Sequence, residues 1–249
     1  KILLRVNMTQ YIGIGHHLQV GKSTSAQIIK NILDSKNISS KIINFADPIK
    51  KFCIEVLGID QKLVYGNNDD KNTLTKYKWN DLFDEVRVKY SCSKGWKPLD
   101  VYEKICACGR CDSIQYKNTL FGFLKTGLMS VREVLQVWGT DINRNGFYQD
   151  IWAEAPFHQR HEEKIVIYDD CRFPNESAII KKHNGILIRI ERDSAPKSNH
   201  ASETALDGYT GWNYIVQNNN DLNHLYNKIY EIIMNEIPKM NAMQNLWSK

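Results

Sequence analysis

The chain has 249 residues, a formal net charge of +5, 42% hydrophobic and 24% charged residues, which fits a globular protein with one sizeable core and room for an elaboration, and excludes a disordered or fibrous chain. No apolar run approaches the roughly 20 residues that span a bilayer, and residues 1–8 are too short and polar for a secretory leader. No membrane partner is expected, the expected location is the cytoplasm, and the six cysteines are expected to be reduced thiols or metal ligands.

In chain order, residues 9–15 (TQYIGIG) read as a short apolar strand entering a Gly-punctuated loop, and 23–35 as a helix in which Ala26, Ile29 and Leu33 recur at helical spacing. Residues 41–45 are a second strand; Asp47-Pro48 then pairs an N-cap with a proline at the first helical position, for a helix over 49–57. Residues 66–78 read as polar and turn-like, and 89–117 as an insertion without clear periodicity. Ser130, with Glu133 three residues on, opens a capping-box helix that is expected to stop at Gly139. Residues 164–168 and 185–190 are compact β-branched runs around a helical pattern at 175–183, a parallel βαβ unit, and a strand at 214–217 and an amphipathic helix at 222–237 follow. This alternation predicts an α/β fold with a doubly wound, mostly parallel sheet flanked by helices.

The strongest motif is Gly15-His-His-Leu-Gln-Val-Gly21-Lys22-Ser23-Thr24, placed between the first strand and the first helix, where the phosphate loop of a P-loop NTPase lies. Gly15, Val20, Gly21, Lys22, Ser23 and Thr24 are the candidate ATP-binding residues: backbone N–H groups surround the phosphates, Lys22 neutralises their oxygens and Ser23 coordinates Mg²⁺. Five residues separate Gly15 from Gly21, and His16 stands where the first glycine of the usual spacing belongs, so the loop is expected to adjust its conformation. No chemical role is assigned to His16 or His17. A capped turn without a ligand is the competing reading.

Asp169-Asp170 end the strand at 164–168, facing the crevice where open α/β sheets bind ligands, and either could hold Mg²⁺ through water; an acidic turn capping the next helix is the alternative. Phosphoryl transfer also needs cations around both phosphates, for which Arg132, Arg144, Arg160, Arg172 and Arg189 are candidates. Cys92, Cys106, Cys108 and Cys111 could close a structural Zn²⁺ site, though their spacing is irregular and free thiols are the alternative; Cys53 and Cys171 read as buried small residues.

Five motifs in order then resemble the deoxynucleoside monophosphate kinases of large bacteriophages and related viruses: Phe45-Ala-Asp-Pro-Ile-Lys50, Asp70-Lys-Asn-Thr-Leu-Thr75, Val131-Arg-Glu-Val-Leu-Gln-Val-Trp-Gly-Thr-Asp141, Asp170-Cys-Arg-Phe-Pro-Asn-Glu176 and His200-Ala-Ser-Glu203. The resemblance covers about residues 9–229, the cysteine segment excepted. It implies one P-loop kinase domain over 1–249, with the insertion at 89–117 and a candidate lid at 144–163. It also implies ATP with Mg²⁺ as phosphoryl donor and a deoxynucleoside monophosphate as acceptor, in the host cytoplasm for a viral protein.

By motif, the resemblance places Asp47 and Lys50 near the acceptor, Arg132 on its phosphate, and Gly139, Thr140 and Asp141 around its base or sugar, with Trp138 also among the substrate-binding residues. Lys22, Arg132, Asp170 and Arg172 become the catalytic set. Capping and core-packing readings remain open for Asp47, Trp138 and Thr140-Asp141. The rival functions are another small-molecule P-loop kinase, of the dephospho-coenzyme A type for example, and a nucleotide-binding regulatory or nucleic-acid-binding module. Nucleic acid is not the expected partner, and a homodimer is left open.

Overall fold

The computed structural model describes residues 9–17, 19–91, 110–116, 120–159, 161–195 and 204–246. The elements in order are β1 (Gln10–Gly15), α1 (Lys22–Ser35), β2 (Ser40–Ile43), α2 (Asp47–Glu55), α3 (Gln61–Tyr65), α4 (Asn68–Asn72), β3 (Leu74–Lys78) and α5 (Asp84–Lys89). They continue with β4 (Cys111–Tyr116), β5 (Leu120–Lys125), β6 (Leu128–Ser130), α6 (Val131–Gln136) and a π-helix over Val137–Arg144. Last come α7 (Ile151–Glu154), a 3₁₀ turn at Ala155–His158, β7 (Ile165–Cys171), α8 (Pro174–Lys182), β8 (Ile186–Glu191), β9 (Tyr214–Gln217) and α9 (Leu222–Leu246). They fall into two compact units, one made of residues up to Asp47 together with those from Asp150 onward, the other of Pro48–Gln149.

The first unit is built on a five-stranded sheet of order β2-β7-β1-β8-β9 in which every adjacent pair runs parallel. Because strand side chains alternate, Ile12, Ile14, Ile165 and Ile167 point to one face, where they pack with Ile29 and Leu33 of α1 and Ile229 and Ile233 of α9. Tyr11, Val166, Tyr168 and Leu187 point to the other, against Ala153 of α7 and Ile179 and Ile180 of α8. Both faces being covered explains why these strands read as continuous apolar runs. The expected doubly wound α/β sheet is therefore present. Its strand order brings the ends of β1 and β7 side by side, with Gly15 opposite Cys171.

The second unit has no large sheet among its described residues. β3 pairs antiparallel with β6, β4 pairs antiparallel with β5, and short helices fill the rest. Trp79, fully buried, is the largest core side chain among its described residues; its indole N–H donates to Glu133 Oε2 at 3.3 Å.

Four sequence expectations are corrected here. Residues 66–78 are not a plain turn: Asn67 and Asp70 form a capping box that starts α4, and β3 follows. The capping box at Ser130 and Glu133 is present, but the helix does not stop at Gly139. It continues to Arg144 with wider π turns, and Gly139 is buried inside it, since a glycine ends a helix only where the chain turns away. The insertion contains regular structure in β4, where no periodicity was legible. The final helix runs past Ile237 through Pro238. No helix among the described residues is long and apolar enough to cross a membrane.

Candidate active site

In the first unit the loop between β1 and α1 is shaped by close approaches. A Cβ on Gly15 would lie 2.7 Å from the Cys171 carbonyl oxygen and 2.6 Å from the Trp212 ring, so only glycine fits there. Gly21 has φ +101 and would bring a Cβ within 2.6 Å of Asn218 Nδ2. That amide donates to the Val20 carbonyl at 2.8 Å, and the Asn218 backbone N–H donates to Glu191 O, so the start of α9's loop clamps the phosphate loop from below. His16, at the position of the missing first glycine, keeps a glycine-like φ of +101. Holding a non-glycine residue in that conformation costs a backbone strain of about 1–3 kcal/mol.

The Lys22 ammonium, almost wholly buried, donates to the carbonyls of His16 at 2.7 Å and His17 at 2.8 Å, and lies 3.3 Å from Asp170 Oδ1. Asp170 Oδ2 accepts from Arg172 Nε at 2.6 Å, so one carboxylate orients two cations. The Arg172 and Phe173 backbone N–H groups both donate to buried Glu176, which fixes the turn after β7. Ser23 Oγ, in the first turn of α1, donates to Asp169 Oδ2 at 3.2 Å, and Asn44 Nδ2 lies 3.4 Å from the other oxygen. Burial pushes the Asp169 carboxyl up, the neighbouring Asp170 charge adds to this, and the bonds from Ser23 and Asn44 oppose it.

A hydroxyl and a carboxylate side by side are hard oxygen donors of the kind Mg²⁺ takes. The first turn of α1 carries no acidic residue, so the positive end of its dipole is left for an anion. Thr24 is exposed at that helix start. Asp47 turns back to accept from the Asn44 N–H at 2.8 Å, which ties it to the Asn44 that faces Asp169. Asp150 accepts from Asn175 of α8 at 2.7 Å, and Ala153 and Pro156 are buried, so much of 150–158 packs as structure. Arg160 and the motif from His200 to Glu203 lie outside the described residues.

The second unit gathers a different set. Arg132, at the start of α6, donates to Asn68 Oδ1 at 2.9 Å and Asn72 Oδ1 at 3.3 Å. Lys71 of α4 is pushed down by burial and by the charges of Lys50 and Arg132, so three cations share one neighbourhood. Trp138 stacks on Phe52 with ring centroids 4.6 Å apart and planes 8° from parallel. Asp141 accepts from Lys89 Nζ and Tyr90 Oη, each at 2.8 Å. Gly139 is buried and Thr140 exposed.

Asn44, Lys71 and Asn218 escaped the sequence reading. Lys71 lay within a quoted motif and its charge was the available signal, whereas a lone Asn in a strand-to-helix junction offers none. Of the four clustered cysteines, Cys92, Cys106 and Cys108 lie outside the described residues; Cys111 is buried at the start of β4, and Cys53 and Cys171 are buried as expected.

Comparison with known proteins adds a family. The model described as deoxynucleotide monophosphate kinase matches residues 12–229. A protein of Acanthamoeba polyphaga mimivirus, whose name carries deoxynucleotide monophosphate kinase as a provisional assignment, is 23% identical over 229 residues, covering 86% of this chain and 91% of that one. The deoxynucleoside-5'-monophosphate kinase of Escherichia phage T5 is 21% identical over 244 residues, covering 90% and 95%. Because the family model spans most of the chain, the chain belongs to the deoxynucleotide monophosphate kinase family and is a nucleoside monophosphate kinase.

Proposed function

We propose that the enzyme transfers the terminal phosphoryl group of ATP to a deoxynucleoside monophosphate, giving the diphosphate. The observation that carries this reading is the convergence of Lys22, Ser23, Asp169, Asp170 and Arg172 where β1 meets α1 and β7 ends. Backbone N–H groups from Val20 to Thr24 hold the phosphates at the N-terminus of α1. Lys22 exchanges the His16 and His17 carbonyls for phosphate oxygens, while Asp170 keeps its ammonium and the Arg172 guanidinium aimed at the transferring group. Ser23 and Asp169 hold Mg²⁺, which when bound neutralises charge on the phosphate oxygens.

On the acceptor side, Lys50, Lys71 and Arg132 supply positive charge for a monophosphate. Trp138, Gly139, Thr140 and Asp141 of the same unit contribute to binding its base and sugar, Asp141 held by its bonds to Lys89 and Tyr90; Asp47 keeps the acceptor-side role that its motif implies. The acceptor oxygen is already anionic, so no strong base is required, and catalysis is positioning plus charge stabilisation.

ADP release from Mg·ATP is to be measured with each common deoxynucleoside and ribonucleoside monophosphate. Turnover on at least one deoxynucleotide, reduced by about 10²-fold or more in Lys22→Ala, is the expected result. Turnover only on a non-nucleotide acceptor, or nucleotide binding with no turnover, would sink the proposal.

A further inference from the structure

We infer that His16, His17 and Asp207 form a binding site for a divalent transition-metal ion of the zinc class, on the outer side of the phosphate loop. The three residues belong to one unit, and one ligand atom from each lies within 4.8 Å of the others. His17 Nε2 is 3.0 Å from Asp207 Oδ1, and His16 Nε2 is 3.9 Å from the same oxygen. In a tetrahedral zinc site with bonds of 2.0–2.2 Å, ligand atoms stand about 3.4 Å apart. A shift of Asp207 by a few tenths of an ångström would even out its two distances, and its side chain, 50% exposed, has room to rotate.

Two further observations point to a ligand. The His16 side chain is only 7% exposed, yet neither of its ring nitrogens has a hydrogen-bond partner among the described residues. Burying such groups unpaired is costly and calls for an explanation. His16 also holds a backbone conformation for which glycine is the default. A side chain kept at such a position in spite of the strain is there for what the side chain does.

The donor set decides the ion. Two imidazoles and one carboxylate suit zinc, cobalt, nickel or copper far better than Mg²⁺ or Ca²⁺, which take all-oxygen shells. The two imidazoles line a cavity of about 420 Å³ together with Glu191, Arg192 and Asp193, which leaves room for water as a further ligand. The rival reading is a plain His17–Asp207 hydrogen bond with His16 buried for packing alone.

The test uses the full chain, stripped of metal and titrated with Co²⁺ as a spectroscopic probe for Zn²⁺, in parallel with His16→Gly, His17→Ala and Asp207→Asn. Each variant is expected to bind one equivalent fewer, or to bind that equivalent at least about tenfold more weakly. The wild-type minus variant spectrum should show d–d bands without the near-ultraviolet thiolate charge transfer that cysteine ligation produces. Unchanged stoichiometry and affinity, or a thiolate band in the difference spectrum, overturns the site. His16→Gly suits the backbone, so its metal-free form should melt no lower than wild type, which separates loss of a ligand from loss of the fold. If His17→Ala does not fold, Asp207→Asn, a half-exposed near-isostere, carries the test alone.

Discussion

In the sheet unit the central strand β7 is apolar until its charged end: Ile165 to Tyr168 are all buried, and Asp169 and Asp170 follow directly. In residues 48–149 a charged group sits near the middle. Glu133 accepts from the Ser130 N–H, from Arg110 and from the Trp79 indole, with Lys125 at 3.5 Å. The first unit thus gathers its candidate catalytic charges at a strand end above an apolar sheet, whereas the second spends several of its charges on its own cohesion. The comparison teaches that a cation in the second unit is weaker support for function, and that Lys71 stands out because the charges of Lys50 and Arg132 both bear on it there.

The largest blow to this contrast is expected from Trp79→Ala. Removing a fully buried indole should destabilise the second unit by about 3–5 kcal/mol, read as lost amide-exchange protection in β3, α6 and β6. Equal loss in β1, β7 and β8 would erase the distinction. Asn218→Ala probes the other side: it leaves the Val20 carbonyl buried without its donor, at about 1–3 kcal/mol, and should raise the KM for ATP while the acceptor KM holds. A stability loss with both KM values unchanged would make Asn218 a packing residue only.

Arg132→Gln sharpens the claim about the cation cluster. About tenfold or more in acceptor KM is expected with little change for ATP, and equal effects on both substrates would remove Arg132 from the acceptor side. The smallest expected effect is acidic. Burial pushes Glu133 up, but the bonds from Ser130 and Arg110 and the charges of Arg110 and Lys125 outweigh it, and its net shift is down from 4.5. A depressed carboxylate binds fewer protons folded than unfolded, so its contribution is complete above pH about 4.5 and fades as pH falls through the folded pKa. Glu133→Gln should flatten that acid limb of the melting curve, and an unchanged slope would remove Glu133 as its cause.

The sheet unit was largely legible because its signals are local. Apolar runs such as KIVIY and GILIRI, a glycine-lysine-serine junction and an aspartate pair each announce themselves within a few residues. The second unit was not, because its order rests on distant partners: Asn67 with Asp70 starts a helix inside a polar stretch, and Glu133 meets Arg110 and Trp79 from far along the chain. Gly139 misled for the same reason, since burial inside a π turn leaves no mark on composition. Within the site, Lys22 and Ser23 were readable from spacing. The division of labour between Asp169, on Ser23, and Asp170, on Lys22 and Arg172, needed side-chain directions that adjacency alone does not supply.

Cys171 closes β7 directly beneath this arrangement. Its thiol is completely enclosed, lies 3.3 Å from Ser177 Oγ, and burial pushes its pKa far up. Such a sulfur is inert to alkylating reagents until the strand end opens, which makes it a built-in clock. The rate at which Cys171 becomes modified, followed by peptide mass spectrometry, reports how often the floor of the phosphate site comes apart, and any nucleotide that seats on Lys22 and Ser23 should slow it.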